Sequence, residues 1–554
     1  MSFDVARSWI ATCVEEHGDS CATASADPLL PTRVIDVGNA GTVKLFISDG
    51  ARAKYIALSH CWGGPIATVL RRENLTQFSE DIQEDQLALN FRDAVDVARK
   101  LGIQYLWIDS LCIIQNDSDD WARESEKMAE VYQNAHVTIC VLTSPKSAHG
   151  IFSRLPATNE LMNHGVAIPV GGNDVVTAQL YKPKATESLF NLDREAPLNM
   201  RAWCLQESVM SRRIIYFGST QIYWGCCQGF KAADEVPGPS LFLNAGSGPT
   251  TLNDAFIASQ RQPLPFHGRL LQDLLHKYYS LVRQYTARKI TFDKDKLSAL
   301  SGLARRLHPI IGGDYIAGIW TVDVAQGILW SAADSTGAGI RPVQPFRAPS
   351  WSWVATNDPV YVRKLFKPKE LTQCKVNTIE LVNYELVPKD KSVPYGEVVS
   401  GFIVVRGPTA RLRRVQGFKV EEGPTETDAK AYFDETEWAG WTWRMPSLFA
   451  PGLPEVKAVD GIYVAYGAPS TFQDPNVKVL GKKKDYVVLM ARKLDTCNPQ
   501  SMRKESRVQC LILDQAPSEV VDNMKVYRRV GYLEPLRMAG QSSIEWTQET
   551  LKII

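Results

Sequence analysis

The chain has 554 residues, 45% of them hydrophobic and 22% charged, and its formal net charge is +1. So long a chain overfills one hydrophobic core, which points to two or three domains, and this balance excludes a disordered or fibrous protein. A charge so near zero supplies no overall field to gather nucleic acid or an anionic membrane.

The first fifty residues read as a short helix, a loop and a hairpin. MSFDVARSWIATCVEEHGDS carries acids where a secretory leader has a basic start and a long apolar core. PTRVIDV and TVKLFIS are apolar runs separated by GNAG, a turn composition. From Tyr55 strands alternate with helices. YIALSHCW is a buried-strand run, FRDAVDVARKLG has helical spacing, and QYLWIDSLCII is a second buried run. SDDWARESEKMAEVYQNA predicts a helix capped by Asp117 or Ser118, with Trp121, Met128, Val131 and Tyr132 on one face. HVTICVL and RRIIYFG add further strands, and the alternation predicts a parallel sheet with helices on both faces.

Residues 230–265, rich in Gly, Pro, Ser and Asn, read as a long loop. Two helical stretches follow, GRLLQDLLHKYYSLVRQYTAR and KDKLSALSGLARRLHPII. Short β runs then dominate, among them EVVSGFIVVRG, YVVLMARKL, VQCLILD and MKVYRRVGYL, and predict a β-sandwich or barrel-like domain. The expected divisions are 1–50 for the N-terminal helix and hairpin, 51–229 for the α/β domain, 230–365 for a loop and helical connection, and 366–554 for the β-rich domain. The lysines at 482–484 read as a solvated turn. No apolar run reaches the ~18 residues of a membrane span, so a cytoplasmic protein with no membrane and no nucleic-acid partner is expected. Eleven cysteines in a chain this size are not a disulfide framework.

Three blocks carry a family likeness: YIALSHCWGG from Tyr55 to Gly64, LWIDSLCIIQND from Leu106 to Asp117 with its continuation MAEVYQNA, and RAWCLQE from Arg201 to Glu207. In order and character they resemble the signature of the fungal heterokaryon-incompatibility (HET) domain. The flanks agree, with WIATCVEEHGDSC and LPTRVIDVG before, and DKLSALSGLARRL, AGIW, ILW and APSWSWVA after, so the likeness reaches Ala355. The resemblance implies a TIR-like, flavodoxin-like parallel sheet with flanking helices, here joined to a β-rich C-terminal domain. Trp203-Cys204-Leu205-Gln206-Glu207 matches the TIR pattern of a Trp, often followed by Cys, with a Glu four positions on. In NAD-cleaving TIR domains that Glu is the catalytic carboxylate, so the resemblance nominates Glu207. Trp203 and Glu207, four apart on a helix, share a face and are placed to meet one ligand.

The chemistry follows from the bond concerned. Cleaving nicotinamide from ribose builds positive charge on the sugar, as glycoside hydrolysis does, and a fixed carboxylate favours that charge most where water is excluded. Asp109 is the second catalytic candidate, placed at the C-terminal end of the QYLWID run where open α/β sheets bind ligands. Ser59, His60 and Trp62 come off the end of the first strand, and Cys112, Arg201, Trp203 and Gln206 complete the expected substrate-binding set. NAD is the implied substrate, a nucleotide-like small molecule, with no cofactor required.

Each residue also has a plainer reading. Glu207 is otherwise a structural acid paired with Arg201 or Arg212, and Asp109 the cap of a turn. Cys112 forms a nucleophile–base–orienter set with His60 and Asp109, or else packs in the core beside Leu111 and Ile113. Cys61 is a poor partner for His60, because neighbours on a strand face opposite ways. Cys13, His17 and Cys21 recur at four-residue spacing, but zinc takes four ligands, no fourth is visible, and Gly18 weakens the aligning helix, so no metal is assigned. The DSDD at 117–120 suits helix capping better than calcium. APSWSW, with Trp320 and Trp330, reads as the seal between the α/β and β-rich domains, or as an aromatic platform for a ligand.

The family resemblance implies fungal self/non-self recognition and programmed cell death, with NAD hydrolysis as output and protein partners or self-association in signalling. Two other readings stand beside it. One is a small-molecule enzyme of a secondary-metabolite pathway, using Cys112, His60 and Asp109 or the Glu207 crevice. The other is a non-catalytic signalling or assembly module.

Overall fold

The N-terminal stretch forms α1 (Asp4–Glu16), which buries Ala6, Trp9, Ile10 and Cys13. Gly18, at φ 47°, then turns the chain into the single turn α2 (Gly18–Cys21). The two predicted hairpin runs are β1 (Arg33–Asp36) and β2 (Lys44–Ile47), paired antiparallel. The computed structural model describes residues 3–21, 25–38, 43–152, 165–169, 175–179, 192, 195–233, 250–332, 346–362, 375–415, 428–433, 442–444, 462–465, 485–497, 504–521, 524–539 and 546–554. They fall into two compact units, residues 1–277 with 288–290, and residues 278–287 with 291–554.

In the first unit β3 (Tyr55–Ser59) is buried along its whole length. It leads through α3 (Leu75–Glu80) and α4 (Leu89–Leu101) to β4 (Tyr105–Trp107). Helix α4 ends at Gly102, whose left-handed φ of 72° lets its N–H bond back to Ala98 and Arg99. Next come α5 (Asp109–Cys112), α6 (Ser118–Asn134) and β5 (Val137–Val141). Asp117 caps α6 as expected, accepting from the N–H groups of Asp119 and Asp120. A separate hairpin, β6 (Gly165–Pro169) and β7 (Val175–Gln179), precedes α7 (Trp203–Met210). The sheet of this unit is completed by β8 (Arg213–Phe217), β9 (Ile222–Cys226) and β10 (Gly229–Ala232).

These strands form one sheet in the order β10-β9-β8-β5-β3-β4-β1-β2. The central four, β8-β5-β3-β4, are mutually parallel. Both edges are antiparallel, which corrects the expectation of a parallel sheet. The physical reason is connection length: β8 to β9 and β9 to β10 are joined by tight turns, which only antiparallel neighbours accept. From β3 the chain moves to β4 on one side and later to β5 on the other, so connections leave in opposite directions at β3, a topological switch point.

Other expectations need correction. The segment 1–50 is not a separate piece, because β1 pairs with β4 through Ile35 and Leu106. A buried ion pair at 2.5 Å between Arg33 and Asp120 fastens it further, and Arg33 also donates to the Cys112 carbonyl. QYLWIDSLCII is not one strand. It breaks after Trp107, where the Asp109 carboxylate accepts from the Ser110 N–H at 2.7 Å and starts a helical turn. Within 230–265 the structure has β10 and a helix from Asn253 to Arg261, whereas 234–249 lie outside the described residues.

The second unit is built on the helix Asp295–Ile311 and a core of fully buried Trp320, Trp330, Trp351 and Trp353. Trp330 Nε1 donates to the Trp351 carbonyl at 2.9 Å, and Trp353 Nε1 to that of Gly318 at 2.7 Å. Gly318 sits at φ +95°, and a Cβ there would meet the Trp353 ring at 2.5 Å. These tryptophans are interior packing of this unit. Five strands, Val398–Val415, Asp485–Cys497, Lys504–Val521, Met524–Ala539 and Thr547–Ile553, pair in sequence and the last returns to the first, closing a barrel. The lysines at 482–484 lie outside the described residues. Among the described residues no helix is long and apolar enough to cross a membrane.

Candidate functional site

The carboxyl ends of β3 and β4 present short polar strings, and α7 lies against them. Ser59 ends β3, and His60 and Trp62 follow in a loop that turns at Gly63, φ +70°. A Cβ on Gly63 would sit 2.5 Å from the Pro145 carbonyl and the Lys146 Cα, so only glycine lets this loop pack against residues 145–146. The Ser147 N–H donates to the Trp62 carbonyl at 3.1 Å and fixes the loop. Trp62 Nε1 then donates to Asp109 Oδ2 at 2.8 Å, and His60 Nε2 faces Asp109 Oδ1 at 3.5 Å. From α7, Glu207 accepts a short hydrogen bond from the Ser59 hydroxyl. Arg201, just before α7, donates to the His60 carbonyl. The segment carrying Arg201 is itself held by Lys289, whose N–H donates to Met200 O at 2.6 Å and whose carbonyl accepts from Ala202.

The cluster therefore has a covered part and an open part. Ser59, His60 and Glu207 are 2%, 3% and 5% exposed, whereas the Asp109 side chain is 22% exposed and Trp62 and Arg201 are half-buried. Electrostatics separate the two carboxylates. Burial pushes the Glu207 carboxyl above its usual range, against the Arg201 charge and the Ser59 bond. Burial acts the same way on Asp109, but the His60 ring facing it, then the Arg201 charge and the Trp62 hydrogen bond, outweigh it and hold that carboxyl below its usual range. His60 Nδ1 lies 3.1 Å from the Cys61 carbonyl, which can only accept, so Nδ1 carries a proton. His60 Nε2 is buried with no hydrogen-bond partner among the described residues and points at Asp109.

Of the residues expected from sequence, Ser59, His60, Trp62, Asp109, Arg201 and Glu207 come together here. Glu207 bonds to Ser59 instead of an arginine, though Arg201 acts on it as a charge. Cys112 takes a different place. It is 1% exposed, its sulfur accepts from the Ile108 N–H, and burial pushes its thiol up to about 12, so a thiolate nucleophile is not available. Trp203 packs edge-on against Trp121, ring centroids 6.2 Å apart, and Gln206 is 1% exposed within α7. Cys61 faces away from His60 into an apolar cluster with Cys140, Cys204 and Ile214, in line with strand alternation.

One contributor lies inside the second family block without having been expected at the site. Tyr132 on α6 donates to the Leu58 carbonyl at 3.1 Å, and burial, then the charges of Glu207 and Asp109, raise its hydroxyl pKa. Its sequence signals were a place in MAEVYQNA and on the apolar face of that helix.

Comparison with known families gives a match over part of the chain. The model of the family described as Heterokaryon incompatibility protein (HET) matches residues 55–207, from the first residue of β3 to the Glu207 of the cluster. No curated protein and no solved structure matches the chain. The sheet extends past the matched stretch on both sides, through β1 and β2 before it and β8 to β10 after it. The chain thus carries a heterokaryon incompatibility (HET) domain over residues 55–207, which supports a function of the heterokaryon-incompatibility type.

Proposed function

We propose that the HET domain is TIR-like and cleaves NAD at the nicotinamide–ribose bond, as the effector step of fungal self/non-self recognition and programmed cell death. The observation carrying this reading is the meeting of Glu207 and Asp109 with Ser59, His60 and Arg201 at the switch point of the sheet. Nicotinamide leaves as a neutral base, taking the electron pair of the C1′–N bond, so the step needs a stabilising anion but no general acid. Asp109, held ionised and partly open to solvent, offsets the charge that builds on the ribose. Glu207, in its ionised form, is the stronger base of the pair and takes the proton of the water that attacks C1′. Trp62, fixed by its bond to Asp109, offers a flat wall to the ligand.

The test is direct incubation of the full-length protein with NAD, alone and after forced clustering through a fused dimerising module. Release of nicotinamide and ADP-ribose in equal amounts is expected. No nicotinamide from either form sinks the mechanism.

A second reading draws on the burial of Glu207 and its bond to Ser59. Under it the cluster is a structural knot of a non-catalytic assembly module, and Glu207→Gln leaves cell-death output intact.

A further inference from the structure

A second polar cluster in the first unit stands apart from the carboxylates. Cys13 lies on α1, His17 follows that helix, Cys21 ends α2 and Cys226 ends β9. Their ligand atoms all lie within 4.8 Å of one another. His17 Nδ1 is 3.7 Å from Cys21 Sγ and 3.5 Å from Cys226 Sγ. In a tetrahedral zinc site with Zn–S ~2.3 Å and Zn–N ~2.0–2.1 Å, nitrogen and sulfur stand about 3.6 Å apart. The observed separations are thus the edges of a zinc tetrahedron. Gly18, which by sequence weakens the alignment, has the opposite effect. Its φ of 47° turns α2 off α1, and both His17 and Cys21 face Cys226 and Cys13.

Arg213 is an independent observation. It is 4% exposed, and its guanidinium donates to Cys13 Sγ at 3.3 Å, to the Cys21 carbonyl at 2.8 Å and to the His136 carbonyl at 3.2 Å. These acceptors are a cysteine sulfur and two backbone carbonyls, with no carboxylate among them. A buried guanidinium requires a counter-charge. Zinc held by three thiolates and one neutral imidazole carries a single net negative charge, and Arg213 donates to one of those sulfurs and to a ligand's backbone.

We propose that Cys13, His17, Cys21 and Cys226 bind one structural zinc ion, which staples α1 and α2 to the β9 strand. All four positions come from the protein, so the site is closed to substrate. Binding displaces the three thiol protons to solvent and involves no redox change. The inference does not depend on the reading of the carboxylate cluster.

Elemental analysis of the full-length protein, purified without chelator, tests it. One zinc per chain is expected, falling to background in Cys21→Ser and Cys226→Ser but retained in Cys227→Ser. Should those variants fail to fold, wild-type protein stripped by a chelator and titrated with Co²⁺ gives the second readout. Saturation at one equivalent, with the visible bands of a tetrahedral site, thiolate-to-cobalt charge transfer and displacement by Zn²⁺, is the expected result. Three outcomes overturn the proposal: no bound metal and no cobalt spectrum, a disulfide among these cysteines in the intact mass, or zinc kept by Cys226→Ser.

Discussion

The carboxylate cluster at the ends of β3 and β4 and the thiol–imidazole cluster at β9 use the same material, titratable side chains withdrawn from water, but they are finished differently. Around Asp109 and Glu207 the matching is incomplete. His60 Nε2 has no hydrogen bond, one carboxyl is pushed up and its neighbour down, and the Asp109 edge meets solvent. Around Cys13, His17, Cys21 and Cys226 the donor atoms lie within 4.8 Å of one another, and in the proposed zinc site Arg213 balances the charge. An incompletely matched cluster costs stability and keeps its groups free for a ligand, whereas a closed one contributes stability and leaves nothing to react.

The largest effect expected from this contrast is on stability at the closed cluster. Stripping metal from the full chain should lower the melting midpoint of the first unit by about 10 °C or more, since about 1 kcal/mol moves a domain of this size by about 2–4 °C. An unchanged calorimetric trace with chelator would break the contrast.

Next comes Arg33→Met, which leaves the buried Asp120 carboxylate with only the Ile114 N–H at 2.8 Å and the more exposed Arg123 at 3.4 Å. Denaturant unfolding should show a loss of about 3–5 kcal/mol. A loss under about 1 kcal/mol would mean that water reaches Asp120.

The open cluster should respond with the opposite sign. Glu207 has its folded pKa raised above the ordinary 4.5, so its contribution is fully present below that pH and is lost as pH rises through the folded value. Glu207→Gln, neutral at all pH, should therefore stabilise the protein above pH 4.5, by about 0.5–2 kcal/mol. Asp109 is depressed below 3.8, so its contribution is present above that pH and lost as pH falls through the folded value. Asp109→Asn should destabilise at neutral pH. Thermal unfolding of both variants across pH checks the pair, and the same sign for both would erase the distinction between the carboxylates.

The smallest change is Asp117→Ala at the cap of α6, away from either cluster, with an expected cost of about 1 kcal/mol in chemical unfolding. It should alter neither zinc content nor nicotinamide release, which makes it the control for general loosening.

Much of the open cluster was legible in the sequence because its parts are contiguous strings at the ends of elements: Ser59 to Trp62, Asp109, and Arg201 to Glu207. The topology that joins them follows from strand–helix alternation. What stayed hidden has physical causes. LWIDSLCII is apolar throughout, and periodicity cannot separate a buried strand from a buried helical turn, so α5 was missed. Strand pattern does not state the direction of a neighbour, so the antiparallel edges were missed as well. Burial of Trp351 and Trp353 was readable, but not what they pack against. Cys226 carries no local mark of its purpose, because the other donors lie at the far end of the chain and meet it only through the sheet edge.

The most direct test of the central claim is nicotinamide release by clustered wild-type protein and by Glu207→Gln, both shown to be folded by calorimetry. The account predicts release by the wild type and a drop of about 100-fold or more in a variant at least as stable. Equal release by the two proteins, or none from the wild type, would contradict it.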